Sequence, residues 1–353
     1  MPSLNESIQK KNNKALVIWL LSGCFLIFTM VVVGGITRLT GSGLSITEWN
    51  VITGSIPPLN ETQWQQEFAK YQNSPQFKKI NSHFELHDFK NIYWWEYIHR
   101  LIGRLMGIAF IIPFIYFIAK KKIDKQLLPK LIFIFLLGAW QGFLGWYMVK
   151  SGLVHQPYVS HIRLAIHLLN AFFTFGYIFW VTLDLKFQFN KKENSASKSI
   201  KNLSILTFVL LIIQIGYGAF VAGLKAGHFY NTWPKMGDEW IAATVGQGLE
   251  KHGVSALVND MSNVQFIHRT IALLVLGLII FMWSQRNKPS WQLKPQQKQA
   301  LNYSLLFVGI QVLLGIFTLL YAVPLWLGVV HQAGAFFIFA ALIFQIHRIT
   351  KAG

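Results

Sequence analysis

The chain holds a single cysteine, Cys24, so neither an intramolecular disulfide nor a cysteine-based metal site can form within it. Acidic residues are scarce as well, with 14 Asp and Glu against 32 Lys and Arg, and residues of either charge make up only 13% of the 353. Hydrophobic residues reach 53%, and apolar runs longer than about 18 residues recur, which excludes a soluble domain of this size. The segment MPSLNESIQKKNNK has no small-residue cleavage site and is not an Arg-rich, acid-poor transit helix, so it is read as a tail rather than a leader.

In place of a soluble core there are eight candidate spans, approximately 16–36, 94–118, 128–149, 162–184, 203–223, 264–283, 303–321 and 325–346. Each is near the ~20 residues that cross a hydrocarbon core. The expected fold is an all-α integral membrane protein with eight transmembrane helices. With the N-terminus placed in the cytoplasm, inner loops and tails, counted with Lys130 and Asp184 at the span ends that border them, carry 19 Lys/Arg against 4 Asp/Glu, and outer ones 9 against 9. This positive-inside bias predicts that both termini are cytoplasmic and that the membrane is a bacterial inner membrane. It also accounts for the net charge of +18 without a nucleic acid, because no aromatic-interleaved basic surface occurs outside these short loops.

The chain reads as a four-helix unit written twice. EYIHRLI (96–102) in span 2 answers QFIHRTI (265–271) in span 6, and HLLNAFFTF (167–175) in span 4 answers HQAGAFFIF (331–339) in span 8. Spans 3 and 7 share a Gln ahead of a Gly, Gln141 with Gly145 and Gln311 with Gly315. A parallel repeat follows, two pseudo-symmetric four-helix bundles divided as residues 1–190 and 191–353, and with it two similar sites.

Ionisable groups are costly inside a bilayer, so those the spans contain ask for a purpose. His99, His167, His268 and His331 each fall a few residues inside the outer end of an even-numbered span, which gives them a common depth. One imidazole from each of two neighbouring helices can hold a planar cofactor, as axial histidines hold b-type haem iron. Each half offers two His, no Cys and at most one carboxylate, too few for a closed zinc or copper site. His83, His87, His228, His252 and His347 are read as solvated residues of loops and the inner end, whereas His155 and His161 border span 4 and stay unassigned. Four arginines lie within the His-bearing spans, Arg100, Arg104, Arg163 and Arg269, and are candidates for binding haem propionates. Glu96 precedes His99 by three residues where Gln265 precedes His268, so only the N-terminal site carries a carboxylate able to act as a base.

These residues resemble the haem A synthase family, membrane enzymes that convert haem O to haem A for cytochrome oxidases. The resemblance covers nearly the whole chain: GGITRLTGSGLSITEW (34–49), EYIHRLIGR (96–104), GFLGWYMVKSGL (142–153), NTWPKM (231–236), the IHR of span 6 and the histidine of span 8. The long first outer loop (37–93) is similar to the mitochondrial and alphaproteobacterial type. The resemblance implies haem b as a resident cofactor on His268 and His331 and haem O as substrate on His99 and His167, with Glu96 catalytic. It also implies partnership with haem O synthase and with haem-copper oxidase assembly, an electron acceptor of unknown kind and a possible homo-oligomer. Some bacterial members carry an outer cysteine pair that this chain lacks, so thiol chemistry there is excluded.

Two other classes of function were weighed. A diheme b-type cytochrome that only transfers electrons would place haems at both depths, against the common depth of the four histidines. A transporter of parallel repeats would break its helices at the midplane, whereas Gly and Pro are read as gathering near helix ends and loops.

Overall fold

A computed structural model describes residues 4–49, 53–154, 156–187 and 196–351. His155 and the expected boundary between residues 190 and 191 lie outside the described residues. Twelve α-helices follow in order: α1 (Leu4–Leu39), α2 (Glu61–Gln72), α3 (Pro75–Lys79), α4 (Leu86–Ala119), α5 (Leu128–Val154), α6 (His161–Phe187), α7 (Lys198–Gly223), α8 (Ala243–His252), α9 (Ala256–Asn259), α10 (Met261–Ser284), α11 (Pro295–Leu320) and α12 (Leu325–Lys351). Eight of them, α1 over Asn13–Leu39 and α4, α5, α6, α7, α10, α11 and α12, are long and apolar enough to cross a membrane, one for each expected span. The protein is therefore a multi-pass, all-helical membrane protein.

Local chemistry sets where these helices begin and end. Gly41, at φ +70, closes α1, and its left-handed backbone lets the Ser42 amide reach back to the Thr37 carbonyl at 2.8 Å. Asn60 caps α2 through the Gln63 amide, and Ser74 with Pro75 opens α3. Asp260 caps α10, accepting from the backbone amides of Ser262 and Asn263. Pro113 lies inside α4, which continues through it, and many glycines also sit within helices. This corrects the expectation that Gly and Pro gather at helix ends: the spans are continuous, and some of the glycines inside them, among them Gly34, Gly145, Gly218 and Gly315, lie in close contact with a neighbouring helix.

The chain forms two compact units. One comprises Leu26–Ala171 and carries the short helices α2 and α3. Here α4 starts eight residues before the expected span, because its first turns are covered rather than solvated: Trp64, Phe68 and Tyr71 of α2 bury against Phe89, Ile92, Tyr93 and Tyr97. The other unit comprises Met1–Phe25 and Phe172–Gly353. In it α7 packs on α10, α10 on α11, α11 on α12, and α12 back on α7, a closed ring of four helices. Phe172 and Phe175 of α6 pack on Phe336 and Phe339 of α12, so the AFFxF repeats meet one another.

Near the C-terminal end of α12, His347 is fully buried, its Nε2 2.9 Å from Asp184 of α6, and Lys351 pairs with the same carboxylate. The expectation of a solvated His347 is thus corrected. A carboxylate, a lysine and the Trp180 ring against the imidazole supply the partners that make its burial affordable. His83, His87, His228 and His252 are exposed, as expected.

Two candidate histidine-pair sites

Each of the four histidines projects from an even-numbered span onto a glycine of the odd-numbered span before it. A Cβ placed on Gly34 of α1 would lie 3.2 Å from the His99 ring, and one on Gly145 of α5 would lie 3.2 Å from His167. In the other unit, Gly218 of α7 would meet His268 at 3.3 Å and Gly315 of α11 would meet His331 at 2.9 Å. Any side chain larger than hydrogen would push these imidazoles away, so each glycine is a seat for one ring. His167 interacts electrostatically with His99, and His268 with His331.

Glutamines accompany three of the four seats. Gln141 donates its amide to the His167 carbonyl at 3.1 Å, lies 3.4 Å from His167 Nε2, and accepts from Asn170. Gln311 donates to the His331 carbonyl at 3.0 Å, and the Gln214 amide lies 3.4 Å from His268 Nε2. Gln214 with Gly218 was missed in the sequence. The signal was there, since Gln-x-x-x-Gly occurs at 141–145, 214–218 and 311–315, one copy in each of spans 3, 5 and 7.

In each unit the arginine that follows a histidine, Arg100 or Arg269, is committed to a loop. Arg100 binds Glu96 through Nε and Nη2, the latter at 2.6 Å, and donates to the carbonyls of Ile46 and Glu48. The second Glu96 oxygen accepts from the Ser45 hydroxyl at 2.7 Å and the Ile46 amide at 2.9 Å, so this buried carboxylate receives four hydrogen bonds. In the second unit Arg269 donates to the carbonyls of Tyr230, Thr232 and Lys235, while Gln265 donates to those of Ala226 and Tyr230. Arg163 donates to the Tyr147 carbonyl and lies over its ring. Arg104 sits one turn beyond Arg100 on α4. His161 opens α6, six residues before His167.

The residues fit a bis-imidazole haem. One ring nitrogen in each of His167, His268 and His331 is buried without a hydrogen-bond partner, an arrangement that is costly unless another group completes it. Neutral imidazole on an apolar helix face is the donor that b-type haem iron takes. Among the described residues no three His, Cys, Asp or Glu side chains gather where they could hold a bare metal ion.

Comparison with known proteins points the same way. The model of the COX15-CtaA family, described as cytochrome oxidase assembly protein, matches residues 17–343. A protein named heme A synthase from Flavobacterium psychrophilum is 50% identical over 345 residues, 97% of this chain and 100% of that one. Proteins of the same name from Flavobacterium johnsoniae and Nitrosospira multiformis are 48% and 44% identical, each over at least 94% of both chains. The chain belongs to the COX15-CtaA family of cytochrome oxidase assembly proteins.

Proposed function

We propose that this protein converts haem O to haem A, oxidising one methyl group of the substrate to a formyl group in a bacterial inner membrane with both its termini cytoplasmic. The observation that carries the reading is the pair of glycine-seated imidazoles in each unit, in a chain up to 50% identical to proteins named heme A synthase. His99 and His167 hold the substrate haem, and His268 and His331 hold a resident haem b, which supplies a one-electron redox centre when bound. The halves 1–190 and 191–353 then divide the labour between substrate and cofactor.

Methyl to formyl takes up one water and releases four electrons and four protons, so the N-terminal site needs a proton acceptor. Glu96 is the carboxylate on the turn before His99, and its place in the other half is taken by Gln265, which cannot accept a proton. Arg104 remains a propionate-binding candidate, and Arg100, Arg163 and Arg269 offer propionates what their bonds to backbone carbonyls leave.

The test is production of haem A from a haem O source, read by chromatography of extracted haems. Glu96→Gln should accumulate haem O or a hydroxylated intermediate, and Ser45→Ala, which loosens the same loop but keeps the carboxylate, should not. Equal haem A output from Glu96→Gln and the parent would remove Glu96 from the chemistry. Equal loss in both variants would make its part purely structural.

A further inference from the structure

Among the described residues, three of the four histidines have a glutamine beside them, and His99 does not. The glutamine stands four residues before the seat glycine in α5, α7 and α11, and α1 has Met30 at that place before Gly34. Met30 occupies the corresponding space, its methyl 3.7 Å from where a Cβ on Gly103 would be, one turn beyond His99 on α4. Gln141 and Gln311 reach the same region of their own partner helices, where they meet Asn170 and the backbone at Gly334, each three residues beyond the histidine.

A hydrogen bond to the histidine's own carbonyl fixes the register of the ligand helix against the seat glycine, and an amide beside the ring restrains its rotation. Gln141 does both, Gln311 does the first and Gln214 the second. A thioether has no hydrogen to donate, so Met30 fills the volume and restrains neither. Both ligands of the C-terminal pair are braced in this way, and only His167 of the N-terminal pair.

We propose that Gln141, Gln214 and Gln311 are positioning residues for the iron-ligating imidazoles, and that His99, seated beside Met30, is the unbraced ligand that leaves the iron first. The inference rests on the bis-histidine reading above. It gives the site that must admit, turn over and release a haem the looser coordination, and the site that keeps its haem the firmer one.

The probe is carbon monoxide, which binds reduced haem only where an axial ligand has left. It is applied to the dithionite-reduced, full-length protein purified from cells supplied with a haem O source, with haem content measured on the same samples. In the parent protein the CO-reactive fraction should lie with the substrate haem. Gln214→Leu and Gln311→Leu should raise the CO-reactive fraction of haem b at least threefold while its content is kept. Met30→Gln should lower that of the substrate haem at least threefold. Parental CO reactivity in all three variants would overturn the inference, and if the leucine variants fail to accumulate, an unchanged Met30→Gln overturns it alone. His268→Ala separates the two readings: loss of haem b there leaves the bis-histidine assignment standing whatever the glutamine variants do, and full retention refutes that assignment itself.

Discussion

Replacing Gly315 by alanine tests the seating of the histidines with one methyl group. The added Cβ would lie 2.9 Å from His331 Cε1, against about 3.5 Å for an unstrained carbon–carbon contact, so the ring must retreat by roughly 0.6 Å. Metal–ligand distances tolerate about ±0.2 Å, so a shift of that size would break the coordination proposed for His331 unless the helices part. Overpacking of this kind costs ~1–3 kcal/mol in a packed interior. Gln311 holds the His331 carbonyl, so the ligand helix is not free to slide away.

Gly309 lies on the same helix with nothing within 4 Å of its added Cβ, which makes it an internal control. There the exchange should be harmless or stabilise the helix by up to ~1 kcal/mol, the difference between glycine and alanine in a helix interior. The assay is low-spin haem b absorbance per mole of purified protein, with thermal retention of that absorbance. Gly315→Ala should lose most of the signal, Gly218→Ala, with its contact at 3.3 Å, should lose less, and Gly309→Ala should match the parent. An unperturbed spectrum in Gly315→Ala, or equal loss in Gly309→Ala, would refute the seating argument.

Reporter fusions in the loop at 286–300 should give a cytoplasmic signal, and a periplasmic one would sink the topology together with the common depth of the histidines. Asp184→Asn should lower thermal stability by ~1–3 kcal/mol, the cost of weakening the partner of a buried polar group, without changing haem spectra; a stability equal to the parent's would show that His347 does not depend on that carboxylate. Asp260→Ala should cost ~1 kcal/mol as the lost N-cap of α10, measured as a lower Tm. Burial raises the Asp260 pKa, but hydrogen bonds from Ser262 and Asn263 outweigh it and hold the carboxyl below its ordinary value. Its contribution is therefore present above the unfolded pKa, about 3.9, and is lost as the pH falls through the folded one. A Tm difference between the parent and Asp260→Ala that survives below that range would contradict the assignment.

The eight spans were legible because length and apolar composition alone decide whether a helix can cross a bilayer. The four histidines stood out because the repeat set His99 beside His268 and His167 beside His331. What escaped is what has no side-chain signature. The Arg100 and Arg269 guanidinium groups bind backbone carbonyls of loops, acceptors that every residue type carries, so no charge pattern announces those bonds. The buried His347 escaped for a related reason: Asp184 lies 163 residues away in the chain, and only the fold brings the pair together. The N-terminal extension of α4 was invisible to a hydropathy reading, since Phe89 and Tyr93 are covered by the aromatic face of α2.

The difference between Glu96 and Gln265 takes on a second meaning once both loops are in view. Each residue stands four before an arginine on its span, and each pair clasps the loop above its histidine site. The first loop presents donors to position 96, the Ser45 hydroxyl and the Ile46 amide, and a carboxylate answers them with acceptors. The second presents the Ala226 and Tyr230 carbonyls to position 265, and an amide answers them with a donor. The polarity of each loop thus already selects Glu in one half and Gln in the other, before any reaction is considered. An amide at position 96 would turn hydrogens toward Ser45 and Ile46 or toward Arg100, leaving a buried cation short of its partner, and removing one member of such a pair costs ~3–5 kcal/mol. A loss of activity in Glu96→Gln alone therefore does not identify a base. It becomes an argument about proton transfer only against a variant in which the clasp is weakened and the carboxylate remains.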